Sequence, residues 1–133
     1  MTSLNRKVDL ELKEKTKKHR TQSVHYFENA LRYIEMGDSE KASELLWGSM
    51  SQALKAVAAN RGIRLKSHKD IRNYAIEATR ATRDDSIWHA FTTAQSLHSN
   101  FYETGLMLED VAVAAKEIKE AIGTLFSFIP KEN

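Results

Sequence analysis

Cysteine is absent from the 133 residues, proline occurs once and glycine five times. A chain without cysteine has no disulfide framework, no thiolate zinc site and no cysteine nucleophile. That composition suits a reducing, cytoplasmic setting. So few glycines and prolines cannot supply the tight turns of a β-rich chain. No apolar run approaches the ~18–20 residues of a membrane span. The charged N-terminus lacks the apolar segment of a signal peptide. There is no glycine-rich phosphate loop, no H-E-x-x-H and no G-x-S-x-G. No cofactor and no membrane partner are therefore expected, and the reading leans away from an enzyme. No metal site is expected either. His19, His25, His68, His89 and His98 are scattered, and His89 and His98 stand nine apart, on opposite faces of a helix.

What is present is helical periodicity. With 41% hydrophobic residues, the chain has the material for one core, so residues 1–133 read as a single helical domain. Residues 1–7 are expected to fray, and 8–20 form a charged extension of the first helix. In that helix Val24, Phe27, Leu31 and Ile34 return at helical spacing, and Gly37 ends it. Asp38 reads as the N-cap of a second helix from Ser39 to Asn60, with a broad stripe of Ala, Ser, Leu and Met. Ser67 and Asp70 resemble a capping box before a third helix that runs to about Ala78. Thr79 to Arg83 reads as a turn, and Asp84 or Asp85 caps a fourth helix that stops at Gly105. In the last helix Leu108, Val111, Ala115, Ile118, Ile122, Leu125 and Ile129 form one seam, ended by Pro130. The expected fold is all-α, a bundle of five antiparallel helices. No internal repeat of ~34 residues is visible.

Charge is uneven although the total is only +2. Residues 1–20 are net +4, 61–83 are net +5 and 84–133 are net −5. Such asymmetry permits a basic footprint for nucleic acid or phosphate; solvated helix faces are the plainer explanation.

The stretch Leu97-His98-Ser99-Asn100-Phe101-Tyr102-Glu103 carries the least core-like chemistry. Trp88, Phe91, Gln95, His98 and Tyr102 recur at spacings of 3, 4, 3 and 4, which puts them on one helix face. A plain core stripe would be Leu and Ile. Lys55 falls within the apolar stripe of the second helix. It either snorkels or faces a phosphate or carboxylate.

Residues 40–70, with Gly37-Asp38, Ala42, Trp47, Ala53, Lys55, Ala56 and His68, resemble the second helix and following loop of the HEPN superfamily. The Leu97–Glu103 stretch resembles the L-H-x-N-F-Y-E signature of an archaeal branch, the PaREP proteins. The similarity spans about residues 24–128. It implies a five-helix bundle, commonly a homodimer. It also implies a non-catalytic binding module for a nucleotide, RNA or protein partner, with Lys55, His68, Gln95, His98, Asn100, Tyr102 and Glu103 as binding residues. The alternative it implies is a metal-independent ribonuclease of the toxin–antitoxin kind. Such enzymes carry an arginine and a histidine with four to six residues between. Arg83 and His89 fit that spacing, but they lie away from the stretch where the motif usually falls. On a continuous helix they would diverge by ~120°.

Overall fold

The structure, a computed structural model, describes residues 3–99, 101–102 and 105–130. Five helices follow one another: α1 Ser3–Glu35, α2 Ser39–Asn60, α3 His68–Thr82, α4 Asp85–Ser99 and α5 Leu108–Phe126. There is no strand among the described residues. The architecture is an all-α bundle.

Local chemistry fixes most boundaries. Gly37 takes φ +78°, a conformation that is cheap only without a Cβ. The Asp38 N–H then bonds the Tyr33 carbonyl and the Gly37 N–H that of Ile34, which closes α1 with a Schellman turn. Asp38 Oδ1 accepts from the Lys41 N–H at 3.1 Å and caps α2. Gly62 repeats the device at the end of α2, with the Ile63 N–H on the Ala58 carbonyl. Ser67 Oγ caps α3 by accepting from the Asp70 N–H at 3.1 Å, and the Asp70 carboxylate accepts from the Lys66 N–H at 2.9 Å. That backbone bond, with help from Ser67, holds the Asp70 carboxyl below its ordinary value. Asp84 Oδ1 accepts from the Ser86 N–H and starts α4.

Four boundaries differ from expectation, and one of them, the end of α4 at Ser99 where Gly105 was expected, bears on the site. α1 already begins at Ser3. α3 runs on through Thr79–Thr82, where Thr79 Oγ1 donates to the Ala75 carbonyl one turn back. Only Arg83 leaves the helix, in the left-handed region at φ 56°. α5 ends at Phe126, yet Ile129 remains buried in the turn that follows.

α2 is the centre. Thirteen of its 22 residues are buried, and it packs against α1, α3, α4 and α5. Against α1 the contact is made by small residues. Ser23 Oγ donates to the Ser49 carbonyl at 2.8 Å, and Ser49 Oγ returns a bond of 2.8 Å to the Ser23 carbonyl. Two helices that exchange side-chain-to-backbone bonds must lie close, which forbids large side chains between them. The buried residues of α1 are accordingly Thr16, Ser23 and Ala30, seven apart. The line of larger residues beside them is less covered: Val24 and Leu31 are exposed, and Phe27 and Ile34 are half-buried. Beside the serine pair, a Cβ on Gly48 would meet the Tyr26 ring at 3.0 Å. On its other sides α2 sends Leu46, Met50 and Leu54 into a core with Ile87, Phe91, Ile118 and Leu125, all fully buried. Each such side chain contributes about 1.5–3 kcal/mol relative to exposure.

Ser49→Leu should therefore destabilise the fold by about 1–3 kcal/mol, through overpacking and loss of the reciprocal bonds. The urea midpoint should fall with the slope unchanged. Val113→Ser, on the exposed side of α5, should stay within about 0.5 kcal/mol of the parent.

Candidate ring-lined binding site

Glu40, Glu44 and Trp47 lie at spacings of four and three on α2, so they share one edge of that helix. Trp47 is 8% exposed and sits where three helices converge. Its ring packs on Phe91 of α4 at 5.7 Å, on His68 at the first position of α3 at 5.6 Å, and on His98 near the end of α4 at 5.4 Å. The His98 contact is a stack, with 13° between the planes. His68 and His98 are 6.1 Å apart at 37°. Each aromatic pair of this kind contributes about 0.5–1.5 kcal/mol beyond area burial, so the cluster ties α3 and α4 to α2. Trp88 extends the series by stacking on Phe91 at 5.5 Å, and the Arg72 guanidinium covers Trp88.

The carboxylates of α2 hold the open edge of this cluster. Glu44 lies 3.0 Å from His98 Nδ1. That contact sets the ring orientation, with Nδ1–H donating to the carboxylate. It is the one ion pair among the described residues, and its two side chains are 34% and 53% exposed. One turn earlier, Glu40 accepts from the Tyr102 hydroxyl. This bond, reinforced by the charges of Glu40 and Glu44, raises the Tyr102 phenol above its ordinary value. Tyr102 is itself 78% exposed and meets Phe101 edge-on at 5.3 Å.

Of the residues expected to bind, His68 and His98 come together here, and Tyr102 joins them through Glu40. Tyr102 does not share a helical face with His98, because α4 ends at Ser99 and Phe101–Tyr102 form a turn. Gln95 is half-buried on α4 and belongs to none of the ring contacts. Lys55 is half-buried on α2, eight residues and about 12 Å beyond Trp47. No hydrogen bond or ion pair among the described residues links it to either histidine. Asn100 and Glu103 lie outside the described residues. Arg83 caps α3 in its left-handed conformation, and His89 is exposed on the second turn of α4. No group of three or more metal-ligating side chains occurs among the described residues, and no helix of those residues is long and apolar enough to cross a membrane.

Sequence reasoning passed over Glu44 entirely and saw in Glu40 only a carboxylate well placed near the positive end of α2. The signal was present in the 4–3 spacing Glu40–Glu44–Trp47, but it gains meaning only when α4 is laid beside it. Cations neighbour His68 in sequence: the connector between α2 and α3 exposes Arg64 and Lys66, and the first turn of α3 exposes Lys69. Arg64 and Lys69 are in no ion pair with a described carboxylate.

The fold and this seam define an all-α bundle with aromatic and imidazole rings gathered at one edge. Residues 18–122 match the model of the Archaeal PaREP1/PaREP8 family, and the chain belongs to that family. No curated protein and no solved structure matches the chain.

Replacing Glu40 tests the edge directly. A tyrosine whose folded value is raised contributes stability below the ordinary value near 10 and loses it as pH rises through the folded value. Glu40→Gln removes the charged acceptor that is the largest cause, so the phenol of Tyr102 should ionise at lower pH in an ultraviolet titration. Tyr74, which is raised chiefly by its own burial, should be unmoved.

Proposed function

We propose that the protein is a non-catalytic binding module, and that its ligand is single-stranded RNA held over His68, His98 and Tyr102. The observation that carries this reading is the ring cluster at His68 together with exposed cations, Arg64, Lys66 and Lys69, within four residues of it in sequence. Exposed imidazole and phenol rings offer stacking surfaces for unpaired bases, while Arg64, Lys66 and Lys69 offer charge to the phosphates that follow. A free nucleotide would use only part of this surface, and a protein partner would not need the cations. The five-helix architecture accords with a HEPN-like module, and the lack of cysteine with a cytoplasmic setting. We also infer a homodimer: Val24 and Leu31, seven apart on α1, are exposed apolar residues beside the face that α2 covers, with Leu10 further along past Lys17. Sedimentation at tens of micromolar reads this state.

Ribonuclease chemistry is the second reading, and one observation favours it. Glu44 orients His98 with His68 alongside, so two imidazoles sit where one could accept and the other donate a proton. The pair Arg83 and His89 is less suited, because Asp84 and Asp85 place negative charge beside Arg83.

The test is retention of labelled single-stranded RNA in chelator at several salt concentrations. Binding should weaken steeply with salt, and Arg64→Ala and Lys69→Ala should each reduce the slope of log K against log salt by about 0.7. His68→Ala should weaken binding and leave that slope unchanged. Salt-independent binding, or variants that match the parent, would remove the reading. Cleavage that disappears in His98→Ala would replace it with the enzyme.

A further inference from the structure

Beside their contact, α1 and α2 leave a groove of about 510 Å3, within the ~300–1,000 Å3 of small-molecule sites. Arg32, Tyr33 and Met36 line it from the end of α1, and Lys41, Glu44 and Leu45 from the start of α2. Its apolar part is Tyr33 and Leu45, both half-buried, with Met36, which is 72% exposed. Its charged part is two cations against one carboxylate. Arg32 is exposed and pairs with no described carboxylate. Lys41 Nζ lies 5.1 Å from the centre of the Tyr33 ring and is equally unpaired. Glu44 is already held by His98 Nδ1 at 3.0 Å. The walls are fixed in advance, because the Ser23–Ser49 bonds and the Gly37 turn join the two helices. A preformed groove with apolar side chains and unpaired cations suits a ligand that is apolar at one end and anionic at the other.

We propose that this groove is a second binding site, for a phosphate monoester with an apolar body. Charge selects the phosphate. Near neutral pH a monoester carries about −1.5 to −2 charges and three strong acceptor oxygens, which matches one guanidinium fork and one ammonium. A carboxylate, a sulfate ester or a phosphodiester brings a single negative charge to the same two cations. Glu44 bounds the groove with the ligand's own sign, so a second anionic group on the ligand is repelled. The apolar body packs on Tyr33, Leu45 and Met36, whose unbranched thioether adapts to an aromatic ring. This inference does not rest on the RNA reading, since neither His68 nor His98 lines the groove.

The experiment follows the methionine methyl resonances of the full chain by NMR during titration with phenyl phosphate. The Met36 methyl should shift and saturate, at roughly millimolar concentration for so small a ligand, while that of Met50, fully buried in the core, stays in place. Phenyl sulfate has the same shape and less charge, and should bind about fivefold or more weaker. Inorganic phosphate lacks the body and should bind about tenfold weaker. Arg32→Gln and Lys41→Gln, both on exposed residues, should each weaken phenyl phosphate by about tenfold, with folding checked by circular dichroism. A phosphate monoester is also the 5′ end of a strand, so 5′-phosphoryl and 5′-hydroxyl tetrauridylates separate the sources. Displacement of phenyl phosphate by the first alone places a strand end in the groove; displacement by neither assigns the groove to free esters. No saturable shift of Met36 overturns the proposal. Equal binding of phenyl phosphate and phenyl sulfate overturns the assignment of a phosphate, and variants that match the parent overturn the roles of Arg32 and Lys41. If a variant does not fold, the phosphate-for-sulfate comparison on the parent decides alone.

Discussion

Helix α2 touches every other helix of the bundle, and it can do so only because one of its faces is made of small side chains. Ser23 and Ser49 exchange hydroxyl-to-carbonyl bonds across the α1–α2 contact, a geometry that no pair of leucines could adopt. The close approach sets the register of the whole hairpin. In an antiparallel pair, a step of seven along α1 is answered by a step of seven back along α2. Thr16, Ser23 and Ala30 then fall opposite Ala56, Ser49 and Ala42, all of them buried. The contact of Leu12 with the position of a Cβ on Gly62, just beyond the end of α2, agrees with that register.

Because α1 takes up only the small-residue face, the remaining circumference of α2 is free for α3, α4 and α5. Large side chains belong there, and Trp47 is the largest of them. Its indole is wide enough to touch α3 through His68 and α4 through Phe91 and His98 at once. One turn further toward the start of α2, the helix reaches the rim of the bundle and its residues become carboxylates. The site is thus the place where the core runs out. The same edge that is apolar at Leu54 turns into a ring stack at Trp47 and into acceptors at Glu44 and Glu40. Imidazole suits that boundary, since one face can pack on an indole while a ring nitrogen reaches a carboxylate.

Much of the fold was legible because it is locally encoded. The bounds of α2 follow from Gly37, Asp38 and Gly62, and the start of α3 from Ser67, each acting within a few residues. The end of α4 was not legible. The spacing of Trp88, Phe91, Gln95, His98 and Tyr102 continues a helical period past Ser99, and the tie between Tyr102 and Glu40 that accompanies the turn comes from 62 positions away. The buried line of α1 was not legible for a related reason. Val24 and Leu31 are more apolar than Ser23 and Ala30, but the serine pair brings the backbones too close for the larger residues. At the site, His68 and His98 could be singled out as unusual, whereas Glu44, the partner of His98, looked like one more charged residue on a helix surface. Lys55 was singled out for standing in an apolar stripe, yet it lies two turns from the rings. Its half-buried state suits a packed stem.

The central claim is that ligand meets the molecule at the imidazoles of His68 and His98. The five histidines of the chain provide their own controls, because His19, His25 and His89 lie elsewhere on the bundle: His19 bonds Gln52, His25 bonds Asn29 and His89 is exposed on α4. The most direct measurement is the histidine ring resonances of the full chain by NMR during titration with a short single-stranded RNA. The account predicts that the His68 and His98 signals shift together and saturate, while those of His19, His25 and His89 stay in place. Shifts confined to His89, or no shift of His68 and His98 at saturating RNA, would contradict it.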